Sequence, residues 1–573
     1  MEDKKLNGSY LFYWLNKLSV ISKESTNSGV EFNEFNKYMH IKREIESELV
    51  DTVKKINSTQ KSHLIFLAGS SGDGKSHLIS YLNENHKMDV EDFRFYRDAT
   101  ESDDLDLEAE QVLEKKLVDF SDEGLLSGQK TKMVLAINLG VLSNFLSNES
   151  VRNKYEKVTK FIETSEVLSE GNAPRKVESP DFTIINFSGY NDLEFQDGHL
   201  ISYQLEKLFS RIFNQCDSNP FYKAYKKDLA QNIENDYISN YQMLLNKDIQ
   251  KMLINLIIMI KIEENIILPT RTLLDFIFRI IVPPTAIDNK RTTETIIDNT
   301  FVNLLFTQGG KGKLIRPFQT LDIMNLRSEK VDTIISEMFI KDMVEIIDEH
   351  FPDTVQGIFL GYLKAQQNLL QCENTKIRNK LVQTIIRMIW LSGVVEFKEC
   401  YQVFDKFVYY LNGYNSGNSN VIEEIIEFII KAIYGLLGDD ESTYVNVAKT
   451  KSVYLKYKLE IGDGLETIYV RNAETSISTV IKLPFKELET NTIVDISMDF
   501  KLFKLLYKVN DGYKPNKQDE EDAIKFLVQL KKLAKAGQYK TELSVSLENI
   551  SADFLFKKGK KMGKDSYEFL RRM

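Results

Sequence analysis

The chain has 573 residues, which predicts about three or four domains, and its 42% hydrophobic and 28% charged residues are ordinary for a globular protein. A net charge of −10 is not the balance of a protein that coats nucleic acid through charge alone. The three cysteines form no C-x-x-C pair and the six histidines form no H-x-x-x-H array, which argues against disulfides and zinc and indicates a reducing compartment.

The hydrophobic runs are short or interrupted by polar residues. Residues 11–15 are too few for the apolar part of a signal peptide, and Asn16 and Lys17 follow them at once. Residues 252–268 form the most apolar run, but they include Lys261 and Glu263, which indicates a buried helix and not a membrane span. We therefore expect a cytoplasmic protein that does not insert into a membrane.

Residues 1–60 are predicted to form a helical segment, and a phosphate-binding motif follows them. The motif G-x-x-x-x-G-K-[ST] is filled by Gly69, Ser70, Ser71, Gly72, Asp73, Gly74, Lys75 and Ser76. The apolar residues 63–68 before it predict a buried strand, and residues 77–82 predict the start of a helix, as this motif requires.

The residue types of the motif suit a triphosphate. Glycine allows the positive φ that brings backbone N–H groups close to phosphate, and the N-terminus of a helix adds positive potential. Lys75 is expected to reach the β- and γ-phosphates of ATP, Ser76 to coordinate Mg²⁺, and His77 to continue the nucleotide-binding segment.

The segment before the motif supplies two candidate nucleotide contacts. In P-loop ATPases of the AAA+ type, a segment placed like residues 1–60 packs over the adenine. His40 and Arg43 are therefore candidates for contacts with the base, and an ordinary charged surface helix is the alternative.

Residues 61–200 alternate between strand and helix patterns, which predicts a P-loop NTPase core with a parallel sheet. Such an ATPase needs an acid after a second apolar strand to hold Mg²⁺ and help activate water, and the sequence lacks a plain hhhhDE motif. Asp98 with Glu101 is one candidate, provided that its strand lies beside the P-loop, and Asp98 as a metal ligand competes with Asp98 as a helix cap. Asn138 ends the strand at the expected distance and is the other candidate, although a neutral amide is a poor base.

Two further residues are candidates for sensing the γ-phosphate. Asn186 ends a third apolar strand, and a local turn is the alternative role for it. Arg271 lies at the start of an apolar helix in residues 201–440, which are predicted to form a helical lid or middle region. Arg316 and Arg327 are candidates for an arginine finger acting across subunits of a homo-oligomer.

Two features of the C-terminal half are predicted from composition. The Asn-, Gly- and Ser-rich residues 412–420 are predicted to form a linker. Residues 441–573 are predicted to form a small α+β domain with a basic tail at residues 557–564 and 571–572, around which Phe554, Phe556, Tyr567 and Phe569 lie. A solvated or partner-docking tail is favoured there over contact with nucleic acid.

Several sequence blocks resemble the DptF (also called DndF) family. They are residues 35–43, the P-loop with residues 77 and 78, residues 98–102, residues 135–142 and residues 512–516. The resemblance implies the P-loop subunit of the DNA phosphorothioation-dependent restriction system, an antiviral defence that acts on unmodified DNA. It implies DptG- and DptH-like partner subunits, with DNA contacted through the complex.

We therefore expect an ATP-binding and ATP-hydrolysing subunit of such a restriction complex. A scaffold that binds ATP with little hydrolysis is the alternative, because the plain acid motif is missing. A small-molecule kinase is a third possibility, which the large helical region without an evident substrate pocket disfavours.

Overall fold

A computed structural model gives the architecture of the chain. The residues that it describes are 4–24, 33–70, 72–99, 109–128, 130–168, 174–190, 192–266, 268–285, 292–307, 314–341, 343–352, 355–356, 374–395, 397, 401–437, 444–449, 453–458, 461–463, 477–488, 491–536, 542–547, 552–561 and 564–571.

The chain divides into two compact units. The first unit comprises Met1–Glu194, Leu200–Lys261 and Ile266–Cys400, and the second comprises Phe195–His199, Ile262–Asn265 and Tyr401–Met573. The phosphate-binding motif lies in the first unit, and the predicted basic tail lies in the second.

The described strands are β1 His63–Ala68, β2 Phe93–Tyr96, β3 Lys132–Ile137, β4 Lys176–Glu178, β5 Phe182–Asn186, β6 Leu193–Gln196, β7 His199–Ser202, β8 Tyr444–Lys449, β9 Val453–Lys458, β10 Ile461–Asp463, β11 Ile481–Glu487, β12 Thr492–Met498, β13 Glu542–Leu547, β14 Ala552–Lys561 and β15 Lys564–Arg571.

The described α-helices are α1 Tyr10–Glu24, α2 Glu34–Met39, α3 Glu44–Asn57, α4 Lys75–Asn85, α5 Lys87–Val90, α6 Ala109–Leu117, α7 Asp122–Leu126, α8 Leu139–Ser147, α9 Glu149–Lys154, α10 Glu156–Thr164, α11 Tyr203–Phe213, α12 Pro220–Ala230, α13 Asp236–Leu244, α14 Lys247–Glu263, α15 Thr270–Ile281, α16 Thr293–Asp298, α17 Phe301–Phe306, α18 Ile315–Thr320, α19 Glu329–Met338, α20 Met343–His350, α21 Thr375–Ser392, α22 Gln402–Ser416, α23 Ser419–Leu437, α24 Phe500–Asn510, α25 Lys517–Asp522 and α26 Ile524–Ala536.

The core of the first unit is a five-stranded sheet in the order β2-β3-β1-β5-β4. The pairs β2–β3, β3–β1 and β1–β5 are parallel, and β4 adds an antiparallel edge. Strand β1 lies in the middle and is wholly buried because helices cover both faces of the sheet. This arrangement confirms the α/β core that the alternating pattern predicts.

Alternate residues of β1 enter two separate hydrophobic clusters. Leu64 and Phe66 pack with residues of α6, α8 and α10 on one face, whereas Ile65 and Leu67 pack with residues of α3 and α4 on the other. Successive side chains of a strand point to opposite faces, so an unbroken apolar run is what a doubly covered strand needs. The same packing fixes α4, which begins at Lys75, against the sheet.

The second unit contains two antiparallel sheets with helices. The larger sheet has the order β15-β14-β13-β9-β8 and the smaller has the order β10-β11-β12. The predicted linker at residues 412–420 is wrong, because α22 continues to Ser416 and α23 begins at Ser419. Gly413 is required for packing and not for flexibility, since a Cβ there would lie 2.2 Å from Cγ1 of Val421.

Among the helices that the structure describes, none combines the length and the apolar composition that a bilayer crossing requires.

Candidate functional site

The phosphate-binding motif forms a turn between β1 and α4. Gly72 and Gly74 have φ values of +89° and +95°, a region that favours glycine. The N–H of Gly69 donates to the carbonyl of Ile137 at 3.2 Å, which ties the start of the turn to the end of β3. The backbone thus takes the strand–turn–helix form that the motif predicts, with the N-terminus of α4 at the end of the turn.

Lys75 folds back over the turn that precedes it. Its ammonium group donates to the carbonyl of Gly69 at 3.0 Å and to the carbonyl of Ser70 at 2.6 Å. Burial lowers the pKa of Lys75, and the charges of Asp73 and Asp98 oppose that effect. A cation held by two neutral carbonyls is poised to exchange them for an anion, because a phosphate oxygen is the stronger acceptor.

Asp73 organises the turn from inside it. The carboxylate is 6% exposed, and its Oδ2 accepts the N–H of Ser70. The other oxygen, Oδ1, has no hydrogen-bond partner among the described residues. Burial raises the pKa of Asp73, while Lys75, the Ser70 N–H and Arg43 lower it.

Arg43 lies directly against the turn between β1 and α4. Its guanidinium donates to the carbonyl of Asp73 at 3.0 Å and lies 5.1 Å from the ring centroid of Phe187. A Cβ added at Gly74 would lie 2.9 Å from Nη2 of Arg43, so the glycine also makes room for the arginine. Burial lowers the pKa of Arg43, which is opposed by Asp73 and Glu46.

His40 belongs to a stack of rings beside α4. Its ring is nearly parallel to that of Tyr81, with centroids 4.4 Å apart, and its Nδ1 lies 3.0 Å from Nε2 of His77. Its Nε2 lies 2.9 Å from a carboxylate oxygen of Glu46. Burial, with the nearby His40 and Arg43, lowers the pKa of His77 to about 4, so His77 is neutral near pH 7.

The carboxyl ends of the sheet bring the polar candidates to one edge. Asn138 follows β3 and Asn186 ends β5, the two strands that flank β1. In parallel α/β sheets this edge is where ligands bind. Each asparagine uses Oδ1 to accept an N–H two residues later, from Gly140 at 2.9 Å and from Ser188 at 3.1 Å.

These two asparagines differ in their exposure to solvent. Asn138 is exposed, whereas Asn186 is fully buried and its Nδ2 has no hydrogen-bond partner among the described residues. A buried amide without an acceptor is costly, so its presence at a ligand-binding edge suggests that the acceptor is a bound group.

The turn that carries Asp98 reaches the start of α4. Strand β2 lies next to β3 and not next to β1, so the condition stated for Asp98 from the sequence is not met. The turn after β2 nevertheless reaches the motif, because the Ser76 hydroxyl donates to the carbonyl of Arg97 at 3.1 Å. The N–H of Ala99 donates to the carbonyl of Ala136 at 3.0 Å, which holds Asp98 beside the end of β3.

Arg271 also lies near the motif. A Cβ added at Gly72 would lie 3.1 Å from Cβ of Pro269 and 4.0 Å from Cβ of Arg271. The N-terminus of α15 therefore packs on the turn that contains Gly72. Arg316 and Arg327 are exposed, and no contact found in the described part of the chain joins them to the motif.

Two predicted site residues, Ser71 and Glu101, lie outside the described residues. The structure adds groups that no sequence pattern had indicated: Phe187 under Arg43, Glu46 and Tyr81 beside His40, and Pro269 against Gly72. The one available signal was position, since Phe187 directly follows the strand-end residue Asn186. The other contacts are long-range and leave no local pattern.

The chain matches no protein-family model and no curated protein.

Proposed function

We propose that this chain binds ATP with Mg²⁺ at the turn of residues 69–76 and hydrolyses it. The observation that carries the proposal is the turn itself, which joins β1 to α4 with Lys75 folded over its carbonyls. Such a turn presents backbone N–H groups and a helix N-terminus to phosphate.

Each residue of the site has a role in this proposal. Lys75 leaves the carbonyls of Gly69 and Ser70 to bind the β- and γ-phosphates. The hydroxyl of Ser76 and the carboxylate of Asp98 are the oxygen ligands that Mg²⁺ prefers, and their turns are joined by a hydrogen bond. When bound, Mg²⁺ neutralises charge that develops on the phosphates.

Water activation is assigned to the edge formed by β3 and β2. Asp98 is the ionisable group there, and the amide of Asn138 orients water. On the other side of β1, the buried Nδ2 of Asn186 donates to the γ-phosphate and so distinguishes ATP from ADP. Arg271 approaches the same turn from α15, and Arg43 with His40 borders the base and the phosphates from the segment before β1.

An AAA+-like organisation accommodates these positions. The N-terminal segment supplies Arg43, the sheet supplies the strand-end residues, and a helix of the following region supplies Arg271. Arg316 and Arg327 are then available to act on a neighbouring copy in a homo-oligomer.

The wider role that we propose is the ATPase subunit of a phosphorothioation-dependent restriction complex in the cytoplasm. It is supported by the resemblance to DptF proteins, which also implies DptG- and DptH-like partners and contact with DNA through the complex. Nucleotide turnover would drive switching or movement in that complex, and a partner would cut unmodified DNA.

A scaffold that binds ATP with little turnover is the second candidate. One observation favours it: both strands that flank β1 end in a neutral amide, Asn138 or Asn186, and the nearest acid follows β2, one strand further away. Phosphate release by the purified protein, with DNA and partners added, separates the two candidates. Release above a protein-free blank excludes the scaffold.

The test of nucleotide binding is Lys75→Ala in the full-length protein. Hydrogen bonds to charged groups contribute about 1.5–3 kcal/mol each, so the variant is expected to bind ATP at least about a hundredfold more weakly. Lys61→Ala, an exposed lysine before β1, is the matched control and should bind like the unaltered protein. Calorimetric titration with Mg²⁺-ATP measures both, and equal binding by Lys75→Ala would refute the site.

The restriction role has its own test in cells that carry the partner subunits. Uptake of unmodified plasmid should rise in cells with the Lys75→Ala chain, whereas phosphorothioated plasmid should enter both strains equally. Equal uptake of unmodified plasmid would refute the restriction role and leave ATP binding standing.

A further inference from the structure

The predicted basic tail is not a tail in the structure. Strands β14 and β15 pair as an antiparallel hairpin at the end of the larger sheet of the second unit. Strand β15 is an edge strand, so one side of the hairpin has no described strand beside it. The basic and aromatic residues of 552–561 and 564–571 are therefore held on a regular scaffold, whereas Met562, Gly563 and Arg572 of the predicted tail lie outside the described residues.

Four aromatic residues share one face of this hairpin. Residues that pair directly in an antiparallel register lie on the same face, and the register pairs Phe556 with Phe569. The rings stack across the strands, Phe554 with Phe569 at 5.1 Å and Phe556 with Tyr567 at 5.6 Å between centroids. Tyr567 is 59% exposed and Phe569 is 61% exposed, so solvent reaches most of both side chains.

Positive charges lie on the same face as the rings. Lys558 pairs with Tyr567, and Arg571 pairs with Phe554, so both belong to the aromatic face. Both cationic residues are exposed. Residues 551–573 contain seven lysines and arginines against three acids, in a chain whose net charge is −10.

We propose that this face, made of Phe554, Phe556, Lys558, Tyr567, Phe569 and Arg571, binds single-stranded nucleic acid. Unpaired bases stack on exposed aromatic rings, and cations beside the rings neutralise the backbone phosphates. A protein partner with an apolar surface would be matched by the rings alone, whereas the interleaved cations are complementary to a polyanion. Duplex nucleic acid is disfavoured. Its bases are already stacked on one another, and the base edges lie in grooves that a flat sheet does not enter.

The proposal goes beyond the function proposed above and does not rest on it. The hairpin belongs to the second unit, and its rings would bind a strand whether or not the first unit binds ATP. Because bases of every type have a stacking face, the binding is expected to be largely independent of sequence.

The first experiment measures fluorescence anisotropy of a labelled twenty-nucleotide oligo(dT) with the full-length protein. The same measurement with a twenty-base-pair duplex tests the preference for single strands. We expect the single strand to bind at least about tenfold more tightly. Tighter binding of the duplex, or no binding of either, would overturn the proposal.

The second experiment removes the rings. The double variant Tyr567→Ser/Phe569→Ser changes exposed side chains and is expected to weaken binding of the single strand by about tenfold or more. Leu570→Ser is the matched control, since Leu570 pairs with Leu555 on the opposite face and is 49% exposed. Equal affinity of the double variant and the unaltered protein would overturn the stacking role even if the protein binds DNA elsewhere.

The third experiment removes the charges and keeps the rings. Affinity for nucleic acid falls as salt rises, and the double variant Lys558→Gln/Arg571→Gln should reduce the magnitude of the negative slope of log affinity against log salt by about one to two. An unchanged slope would overturn the assignment of these cations.

If the ring variant instead changes self-association in sedimentation while no oligonucleotide binds, the face is an interface between copies and the proposal is wrong.

Discussion

The two strands that flank β1 both end in an asparagine, and the two asparagines make the same local hydrogen bond. Oδ1 accepts the N–H two residues later in both, at 2.9 Å for Asn138 and 3.1 Å for Asn186. Asn138 is exposed, whereas Asn186 is fully buried with Nδ2 lacking a partner among the described residues. The two asparagines therefore make the same cap but differ in energetic cost, because only Asn186 buries an amide donor without an acceptor.

The difference extends to the surroundings of each asparagine. Phe187, which follows Asn186, underlies Arg43, and Arg43 is fixed to the carbonyl of Asp73. On the other side, Asp98 is exposed and its turn is joined to Ser76. If the chain binds nucleotide as proposed, the buried side is organised beforehand, and the exposed side is open to a hydrated cation and to the attacking water. We expect Arg43 on the buried side to affect affinity, and Asp98 on the exposed side to affect turnover.

The largest expected effect tests the exposed side. Asp98→Asn keeps the size of the side chain and removes the charge, so Mg²⁺-dependent ATP hydrolysis should fall by about a hundredfold. ATP affinity without Mg²⁺ should stay within about twofold. Asp92→Asn, at the opposite end of β2, is the control and should leave phosphate release unchanged. Normal turnover by Asp98→Asn would show that Asp98 is not the acid required for hydrolysis.

The next effect tests the buried side. Arg43→Ala removes a charge-assisted bond to the Asp73 carbonyl and the contact with Phe187, so ATP affinity should fall by about tenfold. The neighbouring Lys42→Ala is the control, because Lys42 is exposed. Titration with a fluorescent ATP analogue measures both variants. An unchanged affinity in Arg43→Ala would show that this arginine only packs against the turn.

Asn186→Leu separates function from stability. Leucine removes the buried donor without a partner, which should stabilise the fold, and also the Oδ1 that accepts the Ser188 N–H, which should destabilise it, so the melting temperature should change little. Phosphate release should fall by about fivefold if Nδ2 donates to the γ-phosphate. Thr183→Val on the same strand gives the converse control: Thr183 is also buried but is bonded to His63, so stability should fall and turnover should persist. Full turnover by Asn186→Leu would make Asn186 a structural residue.

Much of the first unit could be predicted from local sequence. The motif at residues 69–76 predicts a turn between a strand and a helix. The unbroken apolar run of residues 63–68 predicts a strand covered on both faces. The caps formed by Asn138 and Asn186 follow from residue type, since asparagine commonly bonds the backbone two residues on.

The order of the strands could not be predicted, because it depends on long crossover connections. Only that order puts β3 between β1 and β2 and so gives Asn138, and not Asp98, the place beside the P-loop strand. The burial of Asn186 and the approach of Pro269 to Gly72 are set by the same non-local packing.

Composition was misleading twice in the second unit. The Asn-, Gly- and Ser-rich residues 412–420 form the end of one helix, a turn at Gly417 and the start of the next helix, since Gly413 allows close approach of Val421. The charged residues at 557–561 belong to β14, where pairing with β15 and stacked aromatic rings outweigh the preference of lysine for loops.

The smallest expected effect concerns His77, whose neutral ring borders the buried side. Its pKa in the folded chain is about 4, below the unfolded value of about 6.5, so the unfolded chain takes up this proton first. The stability that His77 contributes is therefore complete above pH 6.5 and is lost as the pH falls towards 4. Over that window the loss is on the order of 2–3 kcal/mol. Between pH 7 and pH 5 the melting temperature of the unaltered protein should fall by about 1–2 °C more than that of His77→Gln. His350→Gln, a histidine of α20, is the control and should keep the full pH dependence.

NMR titration of the His77 ring signal in the folded protein tests the cause directly. A midpoint near pH 6.5 would contradict the prediction, because the ring would then gain its proton equally in the folded and the unfolded chain.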